Sequence, residues 1–233
     1  MTLAAAPAVP RYIVEWVRLL QPRSFAEAVP DARAGAVFSA DMVVGFCKTG
    51  SLASPRVGAL TQPVLETFRR AYAHGIRHFV LFQDTHEPRA LEFGSFPVHC
   101  VRGTHEAETI PELKELPFAG DFTVVEKNSL HPAISTGFDG WLDAHPEVRT
   151  AIVVGDCTDL CVYQLAMHLR LRANALNIEG FQVMVPAQAV DTYDLPEETA
   201  AGVGATPHPG DFFHPVFLYH LAFNGVQVVS ELQ

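Results

Sequence analysis

Basic residues are scarce in this chain of 233: 16 Lys and Arg stand against 26 Asp and Glu, for a formal net charge of −10. A surface of that sign repels phosphate backbones and anionic lipid, which argues against nucleic acid and membrane partners. Cysteine is scarce too. The four residues Cys47, Cys100, Cys157 and Cys161 form no C-x-x-C pair, which argues against a disulfide framework in a chain of this length. A signal peptide's basic leader segment is also missing. The one apolar stretch near the start, Tyr12 to Leu20, is interrupted by Glu15 and Arg18. An early helix is therefore expected rather than a leader or a membrane span, and with it a cytoplasmic protein. No internal repeat or low-complexity run is present. What remains is a chain that is 48% apolar with 16 Phe, enough to bury a core without staples.

Length favours one α/β domain over residues 1–233, with 1–30 as an N-terminal helical extension. Six short β-branched or aromatic runs read as strands covered on both faces: Ala36–Ala40, His78–Gln83, Phe122–Glu126, Ala151–Gly155, Phe181–Val185 and Val226–Ser230. Helical stripes lie between them. Val64, Phe68, Ala71 and Tyr72 form one, ended by Gly75, and Val162, Leu165, Ala166 and Leu169 form another. Phe213, Phe217, His220 and Leu221 suggest a third. The alternation predicts a doubly wound, mostly parallel six-stranded sheet with helices on both faces. In such sheets ligands bind beyond the carboxyl ends of the strands. Asp41, Asp84, Lys127 and the turn from Cys157 to Cys161 all fall there. The segment from Thr85 to Asp121 has little periodicity, and a loop that long is usually functional.

Gly155-Asp156-Cys157-Thr158-Asp159-Leu160-Cys161-Val162 follows a buried strand and opens a helix. A thiol at a helix N-terminus feels the positive end of the dipole, which lowers its pKa, and first-turn N–H groups can bind an oxyanion. Thr158 and Asp159 are candidate caps. The plain alternative is a packed cysteine, and this segment by itself favours that alternative. Asp41, closing the first strand, could serve as a general base or merely cap a helix. Lys127, closing the third, could support a charged pair or merely guard a strand end.

Together these residues resemble the cysteine hydrolases of the isochorismatase-like superfamily and, within it, the nicotinamidases, over about Ala36 to Asp194. The Gly-x-x-Thr-x-x-Cys-Val pattern is present as Gly155, Thr158, Cys161 and Val162, and the family's order of Asp, Lys and Cys is met by Asp41, Lys127 and Cys161. The resemblance implies a catalytic trio of those three residues and a cis peptide at Asp156–Cys157. It also implies an oxyanion hole from the backbone N–H groups of Cys157 and Cys161. Two departures stand out: the family's common Asp-x-Gln is Asp41-Met42-Val43 here, and its Asp-Ala after the fifth strand is Pro186-Ala187.

Asp84-Thr85-His86 closes the second strand. Residues two apart in extended chain share a face, so one carboxylate and one imidazole can reach one ion. His99 lies in Phe96-Pro97-Val98-His99-Cys100. By spacing alone these are three loop residues in a chain with 11 His, and the unconnected reading is the stronger one. The nicotinamidases resemble the chain at all three positions and use them as metal ligands, with Glu92 standing where some members supply a fourth. The implied cofactor is one divalent ion per chain, Zn as the expectation and Fe or Mn as alternatives. Arg102, nearby, reads as a structural ion pair. The implied reaction is hydrolysis of nicotinamide to nicotinate and ammonia through a thioester; Phe46 and Phe96 either flank the ring or belong to the core. The partner is thus a small-molecule carboxamide, and the chain is expected to assemble as a homo-oligomer. Competing readings are another amidase of the superfamily acting on a carbamoyl or ureido group, and a vinyl-ether hydrolase of the isochorismatase type. Outside the superfamily stand a redox or binding protein using Cys157 and Cys161, and a structural zinc domain.

Overall fold

The structure, a computed structural model, describes residues 9–203 and 205–233. Its frame is one sheet of strands β1 (Gly35–Ala40), β2 (His78–Asp84), β3 (Phe122–Lys127), β4 (Thr150–Asp156), β5 (Gln182–Pro186), β6 (Val190–Asp191) and β7 (Gln227–Val229). The order across the sheet is β3-β2-β1-β4-β5-β7, with β6 paired to β4 beyond the end of β5, and every pairing is parallel. The six expected strands are present within a residue or two of their predicted bounds. The seventh, β6, is two residues long, too short to leave a periodic signal.

The central strands are covered on both faces because both sets of alternating side chains are apolar. Val37, Phe79, Ile152 and Met184 face a core built with Val64, Phe68 and Ala71 of the helix Thr61–His74. Phe38, Phe82, Val153 and Val183 face the other core, shared with Val162, Leu165 and Leu169 of the helix Cys161–Ala175 and with Leu218 and Leu221 of the helix Gly210–Phe223. β3 departs from the expected two-sided burial. It is an edge strand whose Thr123, Val124 and Glu126 are exposed, while Val125 and the terminal Lys127 are buried. Gly75 ends its helix in the left-handed conformation, φ +111°, as its position predicts.

Of the N-terminal extension, residues 1–8 lie outside the described residues. The rest forms a helix at Arg11–Arg18 and a short turn of helix at Phe25–Ala28 closed by a Ser24–Glu27 capping box. Trp16 and Tyr12 pack edge-on against Tyr219, with ring centroids at 5.3 and 5.7 Å. Among the described residues no helix is long and apolar enough to cross a membrane.

Gly155 joins the frame to the site. It pairs with Ala40 across β1 and β4, has φ +104°, and an added Cβ would collide with the Ala40 carbonyl oxygen. Both the left-handed backbone and the closeness of β1 require glycine. Gly155→Ala is therefore expected to lower unfolding free energy by about 2–4 kcal/mol in a denaturant titration. An unchanged midpoint would mean that the two strand ends are not this close.

Candidate active site

Parallel register sets the site. Asp84 and Lys127 are register partners at the ends of β2 and β3, and Ala40 lies opposite Phe82 and Gly155, so Asp41 leaves β1 at the same level. Asp41 takes a left-handed φ of +52°, which Asp tolerates better than most residues. Its backbone N–H donates to the Phe82 carbonyl at 3.0 Å, and its Oδ1 accepts from the Asp84 backbone N–H at 2.8 Å. These two bonds fix the carboxylate without using Oδ2.

The Lys127 ammonium stands at the centre, 2% exposed. It pairs with Asp41 Oδ2 at 2.8 Å, donates to Asp84 Oδ1, and donates to Cys161 Sγ at 3.5 Å. Oxygens of Asp41 and Asp84 and the sulfur of Cys161 lie within 4.8 Å of one another. The structure thus brings together the three residues that the motif order had singled out. It adds that Asp84, considered before only as a metal ligand, shares the ammonium with Asp41.

The electrostatics follow from burial. Desolvation disfavours charge on Lys127, yet the carboxylates of Asp41 and Asp84 raise its pKa well above the usual value, so it stays an ammonium. Burial works against ionised Asp84 as well, but Lys127 and the neighbouring imidazoles of His86 and His99 hold its carboxyl well below the usual range. Asp41 moves the other way: burial and the Asp84 charge raise it to about 6 against the pull of Lys127. The Cys161 thiol is pushed up by burial and then by Asp41, with Lys127 opposing. This corrects the expectation that the helix N-terminus lowers it. In the closed site, a thiol proton and a carboxylate of raised basicity therefore sit side by side. That pairing suits proton transfer at the moment of attack.

The peptide Asp156–Cys157 is cis, as the resemblance implies. Leu160 and Val162 donate their N–H groups to the Cys157 carbonyl, and Thr158 donates to the Asp191 carbonyl. The backbone N–H groups of Cys157 and Cys161 are not among the donors that close this turn. Thr158 and Asp159 do not cap the helix. Thr158 Oγ1 lies 2.9 Å from His214 Nδ1, and His208 Nε2 lies 2.8 Å from Asp159 Oδ2. Both tie the turn to the helix Gly210–Phe223 and the segment before it.

The second cluster lies on the other oxygen of Asp84. Its Oδ2 is 3.5 Å from His86 Nε2 and 3.6 Å from His99 Nε2, and the two imidazole nitrogens are 3.1 Å apart. Glu92 Oε1 is 3.8 Å from His86 Nε2, buried and without a hydrogen-bond partner. His99 Nδ1 lies 2.7 Å from the Pro97 carbonyl oxygen, to which it donates, and Nε2 faces the cluster. Nitrogens and oxygens bound at ~2.1 Å around one ion stand roughly 3–4 Å apart, which is the spacing found here. The donor set therefore fits one divalent cation of the Zn, Fe or Mn kind.

Both clusters open on one cavity. Phe46, Phe96, His99, Glu92, Asp84, Cys157 and Cys161 line it, so both predicted aromatic residues reach it. Phe46 stands 5.5 Å from the His99 ring and Phe96 6.3 Å. Sequence reasoning missed Leu52, Val57, Leu130 and Tyr193, which carry no motif and come from separate parts of the chain, and Asp156 and Leu160, which occupy unspecified positions of the nucleophile motif. Arg102 pairs with Glu87 and Glu126 on the surface, the structural ion pair expected of it.

The Isochorismatase domain family matches residues 35–208. Nicotinamidase 1 of Arabidopsis thaliana is 31% identical over 206 residues, covering 82% of this chain and 84% of that protein. Two solved structures share the fold at 21% identity. One is a nicotinamidase from Bacillus subtilis, with a TM-score of 0.64 over 84% of this chain and 99% of that one. The other is an N-carbamoylsarcosine amidase from Thermoplasma acidophilum, with a TM-score of 0.62 over 84% and 95%.

Removing the ammonium would leave two buried carboxyls facing each other. Lys127→Met is therefore expected to destabilise the metal-free chain by about 3–5 kcal/mol in chemical denaturation. A variant as stable as the parent would contradict the ion-pair geometry.

Proposed function

The chain belongs to the isochorismatase family, and on that footing we propose that it is a metal-dependent cysteine amidohydrolase that converts nicotinamide to nicotinate and ammonia. Amide hydrolysis of the nicotinamidase-like kind is the family-level activity. The finer reading rests above all on one observation: thiol, ammonium and carboxylate meet at a cavity that also carries, beside them, the cluster of Asp84, His86 and His99. The likeness to the Arabidopsis nicotinamidase supports the same substrate.

In the proposed reaction, Asp41 Oδ2, which lies 2.8 Å from the Lys127 ammonium, takes the proton of Cys161. Lys127 balances the charge as sulfur becomes the nucleophile. The sulfur forms a bond to the carboxamide carbon, and the carbonyl electron pair moves onto oxygen, where the Cys157 and Cys161 N–H groups donate to it. Collapse of that intermediate breaks the C–N bond, and Asp41 returns its proton to the departing ammonia. Asp41 then takes a proton from water, which attacks the thioester. The C–S bond breaks, the carboxylic acid leaves, and the thiol is restored. A divalent ion held by Asp84, His86 and His99, with Glu92 at their edge, would supply a Lewis-acid anchor for a heterocyclic nitrogen; Zn is the first choice. Phe46 and Phe96 flank the ring and restrict its tilt.

Ammonia release from nicotinamide is the test. The metal-loaded protein is expected to release it, and Cys161→Ala to lose turnover by about a thousandfold or more while keeping its circular dichroism spectrum. His86→Ala with His99→Ala is expected to abolish bound metal in elemental analysis. Activity surviving Cys161→Ala would refute the covalent route. Release from a carbamoyl substrate but not from nicotinamide would move the chain to another amidase of the family.

A further inference from the structure

One carboxyl in the cavity wall has no part in the reaction above. Asp156 ends β4, immediately before the nucleophile turn, and is 1% exposed. Among the described residues its Oδ1 receives only a long contact from Cys157 Sγ at 3.6 Å, and its Oδ2 has no hydrogen-bond partner. The nearby cations are engaged elsewhere: Lys127 with Asp41 and Asp84, and Arg56 with Asp191 and Asp211. Around it the cavity wall is largely apolar, made by Phe46, Val57, Leu160 and Tyr193. A buried polar atom left unpaired destabilises a protein, so an unpaired one lining a ligand cavity points to a partner that arrives with the ligand. Burial and then the Asp41 charge raise the Asp156 carboxyl well above its ordinary range. A neutral carboxyl keeps an acceptor oxygen.

We propose that Asp156 is a substrate-positioning residue that accepts a hydrogen bond from the N–H2 of the carboxamide, and that it gives the site its preference for primary amides over esters. The inference rests on the amidohydrolase reading and deepens it. Asp156 adjoins Cys157, whose N–H faces the developing oxyanion, so the reacting carbonyl carbon and its nitrogen come next to it. A bond to one N–H fixes rotation of the carboxamide before Asp41 protonates the nitrogen. An ester offers no N–H at that position and loses nothing when the acceptor is removed.

Steady-state kinetics on nicotinamide and methyl nicotinate separate these cases, using the metal-loaded parent, Asp156→Leu and Asp156→Asn. Asp156→Leu is expected to lose about tenfold to a hundredfold in kcat/KM for the amide and to stay within about threefold of the parent on the ester. Asp156→Asn keeps an acceptor oxygen and is expected to retain the amide preference. Equal losses on both substrates would make Asp156 merely structural and overturn the proposal, as would an unchanged amide rate in Asp156→Leu. The parent alone tests the underlying reading: if it leaves nicotinamide intact, the functional reading and this inference fall together. If it hydrolyses nicotinamide while Asp156→Leu shows no amide-specific loss, only the inference falls.

Discussion

A single buried ammonium organises this molecule's reactive end. Lys127 touches a carboxylate from β1, a carboxylate from β2 and the sulfur that opens the Cys161–Ala175 helix. Without it, two acids and a thiol would crowd one solvent-free corner and repel as soon as any two ionised. With it, Asp84 stays charged and can face the imidazoles, while Asp41 is left poised near neutrality. The two clusters are therefore not independent. Asp84 offers Oδ1 to the ammonium and Oδ2 to His86 and His99, so the charge that orders the nucleophile also sets the donor cluster beside it.

The fold supplies this corner through register more than through loop shape. Parallel pairing aligns the carboxyl ends of neighbouring strands, so residues 43 positions apart become lateral partners, as Asp84 and Lys127 do. Gly155 lets β4 approach Ala40 closely, and the backbone then turns at once into the nucleophile helix. The reactive groups thus sit at strand ends and at the start of a helix, which favours precise placement. The lining that meets a substrate comes instead from loops: Phe96 and His99 from the long segment after β2, Tyr193 from the segment after β6.

Much of this was legible from the residues. Each trio residue follows a β-branched run, and a doubly wound sheet sends such positions to one edge. Asp-x-His and Pro-x-His gave the donor cluster only in combination with the family likeness. Other features left no signal. β6 is two residues long, and the exposure of β3 depends on its place at the sheet edge, which its own composition does not reveal. Thr158 and Asp159 look like helix caps locally, but His214 and His208, some fifty residues downstream, compete for them and win. The upward shift of the Cys161 thiol reflects burial beside carboxylates brought in from other strands, which the local sequence does not reveal. Asp156 was overlooked because an unpaired carboxyl is recognisable only once its neighbours are known.

The proposed reaction depends on sulfur at position 161 acting as a nucleophile beside Lys127 and Asp41. Acid quenching of the metal-loaded protein during turnover of nicotinamide, followed by peptide mass mapping, tests this directly. A nicotinoyl group on the peptide containing Cys161, and on no other cysteine, is the predicted result. Ammonia release with that peptide unmodified throughout turnover, or with the acyl group on Cys157, would contradict it.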